Sequence, residues 1–215
     1  MKLSTFTLVL GAAFILLMGS CGAMGMSYGQ AGGDTAAAAS AAEAQAPGPP
    51  KDDVAAPTTR CAADIRRQGL PTRYTPEGQS RSSHLTPRAE NVKRQIEKNF
   101  PGYFTEVGGW RPGPDAYSDD HGCGRALDVM VSHIGKRTDA EQKAHGYAIA
   151  KWAEDNAHVL GVHYIIFQQC IWNVQRADES GCSRVTGMSA KGWRAMEDRG
   201  SITQNHYDHV HISVW

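Results

Sequence analysis

The chain has 215 residues, and its 22 basic side chains balance 22 acidic ones. No basic stripe runs along it, which argues against a nucleic-acid partner. No internal repeat recurs.

Residues 1–23 read as an export signal. Lys2 precedes an apolar run from Phe6 to Met18, suited to the core of a signal peptide and short for a membrane span. The small residues in "LLMGSC" stand just before Cys21, as at a lipoprotein processing site, although Met18 stands where leucine is usual. Lipidation of Cys21, cleavage near Ala23 with release, and a retained helical anchor all stay open. Each puts the remainder outside the cytoplasm, with membrane contact only through the N-terminus. Residues 24–57 are rich in Ala, Gly and Pro and nearly devoid of large apolar side chains. Such a segment cannot offset its ordering entropy by burial and reads as a flexible tether. Residues 58–215 then form one domain, long enough for a real core.

Within it, "HLTPRAENVKRQIEKNF" predicts a helix capped by Thr86, with Pro87 in its first turn. Ala89, Val92, Ile96 and Phe100 recur at helical spacing. "TDAEQKAHGYAIAKWAEDNAHVLG" predicts a second, longer helix. Thr138 and Glu141 have capping-box spacing, Ala144, Ala148 and Trp152 line one face, and Gly161 is its stop. Strands are expected in "FTEVGGW", "RALDVMV", "HYIIF" and "HVHISVW". Helices and strands do not alternate as βαβ units. The expected fold is therefore α+β, a small, mainly antiparallel sheet with helices packed on one face. The polar, glycine-containing segment "NVQRADESGCSRVTGMSAKG" reads as a surface loop bordering the site.

Five cysteines occur, at 21, 61, 123, 170 and 182. If Cys21 is lipidated, four remain, which suits two disulfides in an exported domain. Three connectivities are allowed. Cys170 with Cys182 closes a short loop and leaves Cys61 with Cys123.

The last strand carries the chemistry. Along "HVHISVW", His209, His211 and Ser213 share one face by parity, and Val210, Ile212 and Val214 share the other. Earlier, "HGCGRALD" places His121 in a glycine-rich loop and Asp128 inside an apolar strand. A carboxylate there is costly to bury unless paired or bound to a cation. Hydrolytic zinc typically takes three protein ligands and leaves a fourth position for water. His121, Asp128 and one histidine of the last strand meet that need.

"HGCGRALD" resembles the HxxGxAxD signature of zinc peptidases of the D-Ala-D-Ala peptidase group. That group shares its metal-site architecture with lysostaphin-type endopeptidases and the hedgehog signalling domain. "HYDHVH" resembles the H-x-x-H-x-H ending of penicillin-insensitive murein endopeptidases, and "GGWRPG" resembles the arginine-bearing stretch upstream in the D-Ala-D-Ala group. The resemblance covers roughly Glu106 to Val131 and Asn205 to Ser213. It departs in Asp119, where the family carries serine, and in lacking the Glu-x-Trp-His ending; Asp208 stands at the glutamate's place. It implies a hedgehog/D-Ala-D-Ala-peptidase-like fold and a zinc ion held by His121, Asp128 and His211.

For the general base, strand parity favours His209 over Asp208, because His209 shares a face with His211. Asp208 would point away unless the strand begins with a bulge, or would orient a histidine. His206 is a further base, a substrate contact or an ordinary loop histidine. Arg111 would hold a substrate carboxylate or a developing oxyanion, or else form a surface ion pair. Trp110 and Tyr117 line a groove or are simply packed. Cys123 is expected in a disulfide rather than on zinc. Asp120 is expected to be solvated, and His84, His133, His145, His158 and His163 structural or solvated.

The resemblance implies an exported zinc metallopeptidase that hydrolyses peptide bonds in peptidoglycan stem peptides or cross-links, expected to act as a monomer. Its rivals are a catalytically inactive zinc-containing binding module of the cell envelope and an exported hydrolase of other peptides.

Overall fold

The computed structural model describes residues 53–112, 120–184 and 191–215. The signal segment, nearly all of the tether and Tyr117 lie outside them. The described contacts begin inside the segment read as tether. Ala55 N–H donates to Gln79 O at 2.9 Å, and Val54 bridges Ser80.

Helix α1 spans Thr59–Arg67 and is capped by the Thr58 hydroxyl, which accepts from Cys61 N. Helix α2 spans Pro87–Asn99, capped by Thr86 with Pro87 at its start, as the sequence predicts. It buries Ala89, Val92 and Ile96. Strands β1 (Glu106–Gly108) and β2 (Ala126–Met130) follow.

Helix α3 covers Ala140–Asp155, and a single further turn, α4, covers Ala157–Leu160. Gly161 stops it in the left-handed region, at φ 71°. The capping box lies one residue later than the sequence suggested. Asp139 accepts from Gln142 N–H, and the Gln142 side chain accepts from Asp139 N–H. Thr138 is otherwise engaged, accepting from Gln168 Nε2 at 2.9 Å. The buried stripe also differs. Gly146, Ile149, Ala150 and Ala153 face the core, whereas Ala144 is exposed and Ala148 and Trp152 are only half-buried. Alanines recur on several faces of this helix, so their spacing alone does not identify the inner one.

Strands β3 (Val162–Phe167), β4 (Cys170–Asn173), β5 (Trp193–Ala195) and β6 (His209–Val214) complete the sheet. Among the described residues six strands form one antiparallel sheet in the order β1-β2-β6-β3-β4-β5. The fold is α+β. β4 and β5 were not expected. The β3–β4 hairpin turns on Gln168 and Gln169, both at positive φ (52° and 59°), with no glycine or asparagine to announce it. Side-chain bonds hold that turn: Gln168 Nε2 donates to Tyr207 O at 3.2 Å, and Tyr207 Oη donates to Gln169 Oε1 at 2.6 Å.

Parity sorts the sheet. Leu127, Val129, Ile165, Val210, Ile212 and Val214 join α2 and α3 in the core. The opposite face carries Asp128 on β2, Tyr164 and Ile166 on β3, and His209, His211 and Ser213 on β6, with Asp128 paired directly across from His211. Both disulfides form as expected, Cys61–Cys123 and Cys170–Cys182.

Candidate metal centre

His121 sits in the turn before β2. Gly124 closes that turn at φ 67°, where any side chain would meet the carbonyl of His84. Gly124 N–H donates back to His121 O at 2.9 Å. The imidazole is buried, and its Nδ1 lies 2.5 Å from the carbonyl oxygen of Gly109. That contact puts the proton on Nδ1 and leaves the Nε2 lone pair facing inward. Burial, with His211 and Arg111 nearby, pushes its pKa down to about 3, so the ring is neutral and able to bind a metal at ordinary pH.

Nε2 of His121 lies 3.2 Å from His211 Nδ1 and 3.4 Å from Asp128 Oδ1. His211 Nδ1 lies 3.0 Å from the same carboxylate oxygen, and its Nε2 faces the Tyr164 hydroxyl at 3.3 Å. One ligand atom from each of His121, Asp128 and His211 therefore falls within 4.8 Å of the others. Two imidazole nitrogens and a carboxylate fit zinc or a metal of similar preference.

His209 stands beside this triad, its Nε2 3.4 Å from Asp128 Oδ1. Its Nδ1–H donates to Asp208 Oδ1 at 2.7 Å, leaving Nε2 with a lone pair. Asp208 is fully buried. Burial alone would raise its pKa, but hydrogen bonds from His209, from the Thr203 hydroxyl (2.6 Å) and from Gly135 N–H (2.7 Å) outweigh it and hold the carboxyl at about 2. Its backbone carbonyl also takes N–H groups from both Val131 and Ser132. Asp208 thus faces inward and orients His209.

A cavity of about 340 Å³ opens over these groups. Its walls include Arg111, His121, Tyr164, His206, His209 and His211, with the segment around Arg199 and Thr203 on one side. His206, at φ 55°, is buried, with its ring 4.8 Å from that of His209 and 5.4 Å from that of His211. Burial and the nearby His211, His209 and Arg199 hold it neutral, with a pKa near 2.

Residues 81–207 match the model of a family described as "VldE, C-terminal domain". The chain belongs to the VldE C-terminal domain family. The VldE match takes in Arg111, His121, Asp128 and His206 and stops short of Asp208, His209 and His211. Over 126 residues the chain is also 32% identical to an "uncharacterized secreted protein" of Arthroderma benhamiae, an alignment covering 53% of this chain and 47% of that protein. The chain thus spans about half the length of this curated relative. No solved structure matches it.

In this VldE-family chain all seven site residues expected from the sequence converge on one place. Several of their surroundings differ from expectation. Arg111 is ion-paired to Asp128 Oδ2, the ion-pair alternative, although that partner is buried rather than at the surface. Asp120 is buried rather than solvated, because Arg125 neutralises it at 2.5 Å. His163 follows the structural one of its two alternatives, buried and stacked on Trp215 at 3.8 Å. Trp110 stacks on His84 at 4.2 Å and is not a wall of the cavity. The polar segment 173–192 does not line it either, among the described residues; Arg199, Thr203, Gln204 and His206 do. Sequence reasoning missed Tyr164, which strand parity with Ile166 would have placed on the site face. It also missed Arg199 and Thr203, which lie in a polar loop that gives no periodic signal.

Proposed function

We propose that this domain is an exported zinc metallopeptidase that hydrolyses peptide bonds in peptidoglycan stem peptides or cross-links. The observation that carries the reading is the convergence of His121, Asp128 and His211 beside an oriented histidine, His209, at the floor of an open cavity. The resemblance of "HGCGRALD" and "HYDHVH" to wall-cleaving zinc peptidases supports the substrate class. Two disulfides and the word "secreted" in the description of the fungal relative support a place outside the cytoplasm.

His121, through Nε2, His211, through Nδ1, and Asp128, through Oδ1, would hold the ion. A zinc ion there supplies an acidified water and a Lewis acid for the scissile carbonyl. His209 removes the water's proton at Nε2. Asp208 keeps its partner's proton on Nδ1 and stabilises the imidazolium as it forms. Arg111 is ion-paired to Asp128 and lines the cavity. With Asp128 engaged as a ligand, the Arg111 guanidinium would be available to the developing oxyanion or to a substrate carboxylate. His206, neutral and partly lining the cavity, contacts substrate.

Mass spectrometry of purified peptidoglycan fragments, after incubation with the zinc-loaded chain or its His121→Ala variant, tests this reading. New fragments are expected from the wild type alone, and their masses would identify the bond. Absence of fragments with zinc still bound would overturn the peptidase assignment in favour of a binding module.

A further inference from the structure

A group of buried charges outside the ligand set adjoins it. Asp120 and Arg125 are each 3% exposed. Arg125 Nη2 lies 2.5 Å from Asp120 Oδ1 and 2.8 Å from Asp64 Oδ2. Gln68 Nε2 donates to the same two carboxylates, at 3.3 Å and 2.9 Å. Asp64 is on α1, Gln68 ends it, and Cys61 of α1 is disulfide-bonded to Cys123. Helix α1 is therefore tied both covalently and ionically to the turn that carries His121.

Asp120 does more than close this triad. Its second oxygen accepts a hydrogen bond from the Ser213 hydroxyl. Ser213 lies on β6 two residues beyond His211, on the same strand face, and Asp120 immediately precedes His121. One carboxylate thus joins the two elements that supply the imidazole ligands. A buried ion cluster contributes little net stability, because desolvation costs several kcal/mol per ion. What it supplies here is a fixed distance between two backbones.

Resting on the metal centre proposed above, we infer that Asp120 is a positioning residue. Braced by Arg125, Asp64 and Ser213, it sets the separation of His121 from His211, and with it the affinity and geometry of the bound metal. Most of this brace lies outside the family match, since Cys61, Asp64, Gln68 and Ser213 fall beyond residues 81–207.

Cobalt(II) titration of the full chain tests the inference. The visible absorption of the ion reports coordination geometry, and thermal denaturation of the metal-free protein is followed alongside. Asp120→Asn should weaken cobalt binding about tenfold or more and alter the visible bands. Ser213→Ala leaves the ion triad whole and should act in the same direction with a smaller change. If Asp120→Asn does not fold, Ser213→Ala decides alone. Wild-type affinity and spectrum in the folded variants, even with a lowered melting temperature, would overturn the positioning role. No cobalt binding by the wild type would overturn the metal centre, and this inference with it.

Discussion

At the scale of single residues, His209 and Asp208 differ in environment more than in chemistry. Every described polar contact of Asp208 is inward: its carboxylate serves His209, Thr203 and Gly135. His209 keeps one nitrogen for the cavity. Under the proposed reading His209→Ala should retain zinc and lose turnover by about 10²- to 10⁴-fold, the range for a general base. Asp208→Asn should also lower kcat, by a smaller factor, with KM little changed. Steady-state kinetics with metal analysis checks both. Full turnover in His209→Ala, with loss confined to the Asp208 variant, would move the base to Asp208. Strand parity made His209 legible in the sequence. It also left open that Asp208 orients a histidine, but the bond from Gly135 N–H, 73 residues away, is one that no local pattern records.

Elements show where local pattern suffices and where it does not. α2 is written into its sequence: Thr86 caps it, Pro87 begins it, and Ala89, Val92 and Ile96 fall on one face and are buried there. α3 is harder to read, because small residues surround it and the buried face is chosen by what lies opposite. Gly146 packs against the fully buried ring of Phe167, with no room for a Cβ. Gly146→Ala sets two effects against each other. Helix propensity favours alanine by about 1 kcal/mol, and overpacking a well-filled core costs about 1–3 kcal/mol. Phe167 is a fully buried member of the core and meets Tyr147 edge-on, 5.2 Å away between centroids, so its ring cannot yield freely. The substitution should therefore destabilise the protein by about 1 kcal/mol, read as a lowered urea midpoint. A raised midpoint would show that the ring moves aside. β4 was illegible for a different reason. Its hairpin turn uses two glutamines in left-handed conformation, held by Tyr207 and Thr138, so the signal for the turn lies elsewhere in the chain.

Across the whole molecule, the sheet brings together groups that are distant in sequence. His121 and Asp128 reach His211 because β2 pairs with β6 in a register that sets Asp128 opposite His211. The disulfide pairing followed from the shortest-loop argument, and both bridges are present. Asp128, His209 and His211 were legible because aspartate and histidine are costly to bury, so their presence within apolar strands is itself a signal. Arg111, His121, His206 and Asp208 were legible through the motifs that resemble those of wall-cleaving zinc peptidases. The walls of the cavity, from Arg199 to Thr203, and the brace from α1 were not legible, since both are built by tertiary contacts among ordinary polar residues.

The central claim is that His121, Asp128 and His211 bind one metal ion. Native mass spectrometry of the protein after zinc loading and desalting tests it most directly, with His121→Ala, Asp128→Ala and His211→Ala run beside the wild type. One zinc per chain in the wild type, lost or sharply reduced in each variant, is the predicted result. A wild type without zinc, or variants that keep it, would contradict the assignment.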